Sequence, residues 1–157
     1  MTLLEASPEG REAPHTAASG RPSNPTELRR PAFLLNFPFS YSTEVANNPW
    51  MEELGEEERA PDPNRAMTQF LELYRFLASD GLVYLLPTPR TDGLQDLVFT
   101  ANLGVVLGHL DPSPVVVSNF TSAPRRDEGE VGFPFLASMG YRTHLSAPRF
   151  EGEADLN

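Results

Sequence analysis

The chain has no cysteine and no lysine; its twelve basic residues are all arginine. Without a thiol it can form no disulfide, hold no thiolate-bound metal and offer no cysteine nucleophile of its own. Histidine is scarce as well. His15, His109 and His144 stand far apart with no metal-ligand spacing, so neither a metal nor another cofactor is expected. No apolar run approaches the roughly 18 residues that cross a bilayer, which argues against a membrane span. Met1-Thr2-Leu3-Leu4-Glu5 has too short an apolar patch, and too early an acid, for a signal peptide. A cytoplasmic location is the default expectation. Positive charge is also in deficit: 22 acidic residues against 12 basic ones give a formal net charge of -10. Such a field repels phosphate backbones, so nucleic acid is not an expected partner.

The 157 residues leave room for one domain of ordinary size. Residues 1–30 are rich in Pro, Gly, Ser, Glu and Ala without apolar periodicity, and read as a disordered leader. The ordered domain is expected over 31–157. Ala32 to Phe37 reads as a short strand stopped by Pro38. Asn48-Pro49-Trp50-Met51 reads as a turn, and the acidic run Glu52 to Glu58 as a solvated loop.

The spacing predicts a helix over Pro63 to Ser79. Asp62 is a natural N-cap and Pro63 suits the first helical position, where its missing N–H has no partner to lose. Met67, Phe70, Leu71, Tyr74, Leu77 and Ala78 recur at helical intervals, and Gly81 is expected to end the helix in the left-handed conformation. Leu82 to Leu86 and Pro114 to Phe120 read as strands. A second helix is expected between Asp127 and Met139, closed by Gly140. Its signals conflict, because Gly129, Gly132 and Pro134 are poor in a helix interior, Pro by about 3 kcal/mol. It should therefore start near Pro134 or kink there. Tyr141 to Leu145 is a further strand and Pro148 to Leu156 the beginning of a last one. The order β, α, β, β, β, α, β, β is an α/β pattern. The chain stops at Asn157 inside that last strand, as a fragment would.

The organising stretch is Asp96-Leu97-Val98-Phe99-Thr100-Ala101-Asn102, continuing to Leu107. Turn formers flank it at Thr91-Asp92-Gly93 and Gly108 to Pro112, so it reads as a central strand. It carries a carboxylate, a ring and an amide where a buried strand should be apolar, and unpaired polar groups are costly to bury. Asp96, Asn102, Arg125 and Glu151 all fall where an expected strand meets a loop, a usual place for sites on α/β scaffolds. Two carboxylates, an amide and the Phe99 ring suit a planar cation, and Arg125 suits a carboxylate. An amino acid with a guanidinium side chain would satisfy the set.

Several motifs in order, Phe33-Leu34-Leu35, Asn48-Pro49-Trp50-Met51, Gln69, Asp96 to Asn102, Arg125-Arg126-Asp127-Glu128 and Phe150 to Asp155, resemble the guanidino-group-modifying enzymes. That superfamily includes dimethylarginine dimethylaminohydrolases, arginine deiminases, arginine dihydrolases and amidinotransferases. The resemblance runs from Phe33 to Leu156 and implies an α/β propeller (pentein) of five ββαβ modules, of which this chain would supply about two. It implies that Asp96 binds the substrate guanidinium beside Phe99, and that Arg125, or its neighbour Arg126, pairs with the substrate carboxylate. Glu151 would hold the guanidinium and assist proton transfer. Asn102 stands where many members have a second Asp and arginine dihydrolase-like members have Asn. Gln95 replaces the usual Pro before the Asp, and Ala154 replaces a Gly.

The family mechanism, as the resemblance implies it, needs a Cys thiolate to attack the guanidinium carbon and a His to protonate the departing amine. This chain has no such Cys. His109-Leu110-Asp111 superficially resembles a catalytic His pair but lies in a Pro-rich turn, and reads as an exposed turn histidine. The expectation is the N-terminal half of a hydrolase acting on C–N bonds of linear amidines, with guanidinium recognition but no nucleophile, and inactive alone. Its partners would be a small guanidino substrate and the missing C-terminal half, or further copies of itself. A non-catalytic module binding arginine-like ligands, or an acidic interaction domain sharing only the fold, are the alternatives.

Overall fold

The structure, a computed structural model, describes residues 24–156. Most of the expected leader, with His15, lies outside the described residues. At its inner end Asn24 is buried and accepts the Thr26 N–H at 2.9 Å, capping a 3-10 turn over Pro25–Glu27.

Two β-α-β units follow one another. In the first, β1 (Ala32–Asn36) and β2 (Leu82–Leu86) pair in parallel, with Ala32 opposite Leu82 and Asn36 opposite Leu86. Parallel strands need a crossover, and α1 (Pro49–Glu52), α2 (Glu56–Arg59) and α3 (Pro63–Asp80) supply it. In the second, β4 (Pro114–Val117) and β5 (Arg142–Leu145) pair in parallel across α4 (Glu128–Ser138), and β3 (Gly104–Val106) adds to β4 antiparallel. The described residues thus hold one ββαβ set, β3-β4-α4-β5, after a βαβ unit. The class is mixed α/β.

The α3 boundaries follow the expected chemistry. The Asp62 carboxylate accepts the N–H groups of Asn64 and Arg65 at 2.9 and 3.1 Å, leaving two fewer orphan donors in the first turn. Gly81 ends the helix for another reason than expected. Its backbone is extended, not left-handed (φ -143°), but a Cβ there would lie 2.5 Å from the Pro31 carbonyl oxygen, where the chain enters β1. The expected turn at Asn48 is the N-cap of α1: its side chain accepts the Met51 N–H at 3.0 Å. Part of the expected acidic loop winds into α2.

The central stretch is not a strand over Asp96 to Asn102. The main chain there bonds to itself at short range, Leu97 N–H to Leu94 O, Phe99 N–H to Asp96 O and Asn102 N–H to Phe99 O, and a 3-10 turn covers Thr100–Leu103. Only Gly104–Val106 is extended. The apolar spacing explains it: Leu94, Leu97 and Leu103 are all buried, at multiples of three, the period of a 3-10 turn and not of a strand. The expected last strand is likewise reduced to a single antiparallel bridge, Asn119 with Phe150. Gly152 then turns the chain at φ +70° into a 3-10 turn over Gly152–Leu156. Its α-carbon sits against the Asn102 main chain, where a Cβ would meet the carbonyl at 2.7 Å.

The second helix starts at Glu128, earlier than Pro134 led one to expect, and contains that proline. Packing outweighs propensity here. Gly132 lies over the Leu103 side chain, which a Cβ would overlap at 2.6 Å, so the glycine lets α4 settle onto the core. That core joins Leu86 from the first unit to Leu94, Leu97, Leu103, Val115, Val117, Val131 and Leu136. At about 25 cal/mol per Å² of apolar surface removed from water, this shared cluster is what binds the units together.

Candidate functional site

Arg125 is the centre of a buried charged cluster. It ends a 3-10 turn (Ala123–Arg125) just before α4, and is 6% exposed. Its Nε donates to both carboxylate oxygens of Glu128 at 3.2 Å, and its Nη2 to Oε2 at 2.9 Å. Glu128, one turn on at the start of α4, is 1% exposed. Asp96 Oδ2 lies 3.8 Å from Nε, and Glu151 Oε2 lies 4.0 Å from Nη1. The guanidinium carbon stacks 4.3 Å above the Phe120 ring. Three carboxylates thus surround one guanidinium, a formal excess of two negative charges.

Main-chain contacts fix the acids. Glu128 Oε1 accepts the Asp96 N–H at 3.0 Å, and the Asp96 carboxylate accepts the Asn47 side-chain amide. Glu151 Oε1 accepts the Thr121 N–H at 3.2 Å, while the Glu151 N–H donates to Asp155 at 2.7 Å. Burial pushes the Asp96 carboxyl above its ordinary range; Arg125 and the Asn47 amide oppose this, and the Glu151 charge adds to it. Burial also raises Glu128, against the pull of Arg125 and of the Asp96 N–H.

The residues singled out from sequence fall as follows. Asp96, Arg125 and Glu151 meet directly. Asn102 is held beside Glu151 through the contact of its main chain with Gly152, and its carbonyl accepts the Ser118 hydroxyl at 2.5 Å. Phe99 is 51% exposed and packs edge-on against Tyr41, ring centroids 6.1 Å apart. Arg125 was expected to face a ligand's carboxylate, yet two of its nitrogens are bonded to Glu128; Arg126 beside it is exposed. Two members were missed. Glu128 had a signal, the i, i+3 spacing from Arg125 at a helix start. Asn47 had none, being 49 residues from the acid it touches.

His109 is exposed in the turn before Pro112, and His144 is exposed on β5, so neither is in the cluster. Among the described residues there is no acid and histidine grouping suited to a metal, and no helix is long and apolar enough to cross a membrane. An open groove of about 890 Å³ runs alongside, lined by Tyr41, Glu44, Val45, Asp92, Gln95 and Pro124 among others. It is bounded by the residues next to Asp96 and Arg125, not by those two themselves.

Sequence and structural similarity supply the class: the chain is homologous to AgrE and ArgZ, which belong to the pentein-type, amidinotransferase-like family. No family model matches it. Over 127 residues it is 36% identical to the bifunctional arginine dihydrolase/ornithine cyclodeaminase AgrE of Nostoc sp., a match covering 78% of this chain. A crystal structure of an AgrE variant with L-arginine superimposes with a TM-score of 0.68 at 34% identity, over 82% of this chain and 18% of that one. The product-bound N-terminal domain of ArgZ, an arginine dihydrolase of the cyanobacterial ornithine-ammonia cycle, gives 0.65 at 29% identity, over 78% and 42%. The chain therefore spans about a sixth of AgrE, 16% of its length.

Proposed function

We propose that this chain is the guanidinium-recognition part of an amidine C–N hydrolase, with arginine as its ligand. The carrying observation is the charge imbalance around Arg125: three acids, Asp96, Glu128 and Glu151, share one guanidinium. A second cation at Asp96 and Glu151 would offset the excess, and a flat guanidinium can bond to carboxylates in pairs. Phe99, half exposed three residues beyond Asp96, offers it a ring face. Asn102 and Glu151 complete the set, Glu151 being the acid for proton transfer. The likeness to arginine-bound AgrE supports arginine over other guanidines.

Without a cysteine, the chain cannot form the covalent intermediate that a thiolate-dependent hydrolysis requires. Catalysis then needs a nucleophile and a histidine from outside these 157 residues, which alone bind without turnover. The ββαβ set and the βαβ unit are read as about two modules of a five-module propeller, closed by residues outside these 157 or by further copies. A second reading, drawn from the cysteine-free composition of these 157 residues, is a non-catalytic module that binds arginine-like ligands. Titration calorimetry with L-arginine tests the proposal. Binding that disappears in Asp96→Ala supports it, and absence of binding to the folded wild type refutes it. Arginine hydrolysis on adding a cysteine-bearing C-terminal half would separate the two readings.

A further inference from the structure

The segment from Thr43 to Arg59 crosses the cluster as a strap. Val45 and Trp50 are 50% and 76% exposed, so apolar burial does not hold it there. Polar contacts do. At one end Arg59 donates to the carbonyls of Glu44 and Met51 at 3.1 and 3.2 Å, and the Thr43 hydroxyl donates to the Arg59 carbonyl at 2.6 Å. At the other end stands Gln95, 6% exposed. Its side-chain amide donates to the Val45 carbonyl at 2.9 Å and accepts the Val45 N–H at 3.4 Å, pairing with that residue as a neighbouring strand would. Its own N–H is bonded to the Pro124 carbonyl at 3.0 Å, next to Arg125. The following contact along the same line is Asn47 on the Asp96 carboxylate.

We infer that Gln95 is a positioning residue: by clamping Val45 it keeps Asn47 on Asp96 and so aims the carboxylate that meets the ligand. The inference rests on the guanidinium-binding reading of Asp96. A proline at position 95 could make neither the side-chain pair with Val45 nor the N–H bond to Pro124. The groups facing Asp96 are Arg125 from the 3-10 turn, Glu128 from α4, Glu151 ahead of the last turn, and Asn47 from the strap. Of these only Asn47 depends on Gln95, and its amide favours the ionised acid.

The test is a carbon-13 NMR titration of the Asp96 carboxyl in the full chain, with and without L-arginine, for the wild type, Gln95→Ala, Gln95→Met, Asn47→Ala and the Gln95→Ala/Asn47→Ala pair. Gln95→Met keeps the side-chain length without the amide and guards against loss of fold. Both Gln95 variants should move the Asp96 midpoint upward as far as Asn47→Ala does, the double variant should move it no further, and arginine affinity at neutral pH should fall several-fold. A midpoint left at the wild-type value in the Gln95 variants, while Asn47→Ala shifts it, would overturn the inference. A purely structural role would lower the thermal midpoint and leave the titration in place. Should L-arginine leave the wild-type Asp96 signal unmoved, the binding reading fails, while the clamp is still decided by the ligand-free titrations.

Discussion

The Glu128 carboxylate accepts the main-chain N–H of Asp96 at 3.0 Å while both its oxygens grip Arg125. One buried side chain therefore joins the turn bearing Asp96 to the turn bearing Arg125, and the site's geometry depends on a residue that need not touch a ligand. Glu128 and Arg125 are 1% and 6% exposed, so neither charge has water to fall back on. Removing one partner of such a pair costs about 3–5 kcal/mol, because the other is left buried and uncompensated. Arg125→Ala should thus unfold the chain or bring its urea midpoint close to zero. Glu128→Gln keeps an acceptor for the Asp96 N–H and should cost much less. Equal urea midpoints for the two variants would contradict this account.

Acidity should stabilise the fold through the same cluster. Asp96 and Glu128 both titrate above the ordinary carboxylate range in the folded chain, because burial penalises their charged forms. The folded state then binds more protons than the unfolded one in that window. Their contribution to stability is full below the ordinary range and is lost as the pH rises through their folded values. At neutral pH Asp96→Asn should accordingly raise the thermal midpoint, by about 2–4 °C per kcal/mol recovered in a chain of this size, and flatten its pH dependence. The same variant should lose arginine binding. Scanning calorimetry at pH 5 and 7 checks it; a lower midpoint for Asp96→Asn at pH 7 counts against the argument.

Much of this was legible in the sequence where one local rule acted alone. Asp62-Pro63 capped the long helix as expected, and the apolar runs at Leu82 and Val115 became strands. The sequence failed where two periods competed. Leu94, Leu97 and Leu103 are apolar enough for a strand, and only their three-residue spacing tells of 3-10 turns. Pro134 and Gly132 spoke against a helix that tertiary packing on Leu103 nonetheless favours. Asp96, Arg125 and Glu151 stand out as a set because each falls where an expected strand meets a loop, although the stretches after Asp96 and Glu151 prove to be turns. That Arg125 turns inward to Glu128, and that Asn47 reaches Asp96, depend on long-range packing that no local pattern encodes.

Gly152 offers a test of how Asn102 and Glu151 are held together. Its φ of +70° is one that residues with a Cβ rarely adopt, and the Asn102 carbonyl occupies the space a Cβ would need. Gly152→Ala should cost about 1–2 kcal/mol for the conformation, and more for the displaced main chain. Because Glu151 is the next residue, arginine affinity should fall together with stability. In Gly108→Ala, where a Cβ would meet open space, neither should change by much. Parallel urea melts and calorimetric titrations of the two variants decide the point.

The inward turn of Arg125 bears on which arginine meets a ligand's carboxylate. With Nε and Nη2 committed to Glu128 and Nη1 lying 4.0 Å from Glu151, Arg125 has little capacity left for a further anion. Arg126 is exposed and follows it directly on the turn into α4. Arginine and agmatine share the guanidinium and differ in the carboxylate, so their affinity ratio isolates that contact. Arg126→Ala should weaken arginine by a factor of about 5–30, the worth of about 1–2 kcal/mol for one exposed charged hydrogen bond, and leave agmatine nearly unaffected. Arg125→Lys, which perturbs the buried cluster itself, should weaken both ligands alike. If instead Arg126→Ala leaves the arginine-to-agmatine ratio at its wild-type value, the carboxylate contact does not run through Arg126, and Arg125 must turn outward from Glu128 when the ligand binds.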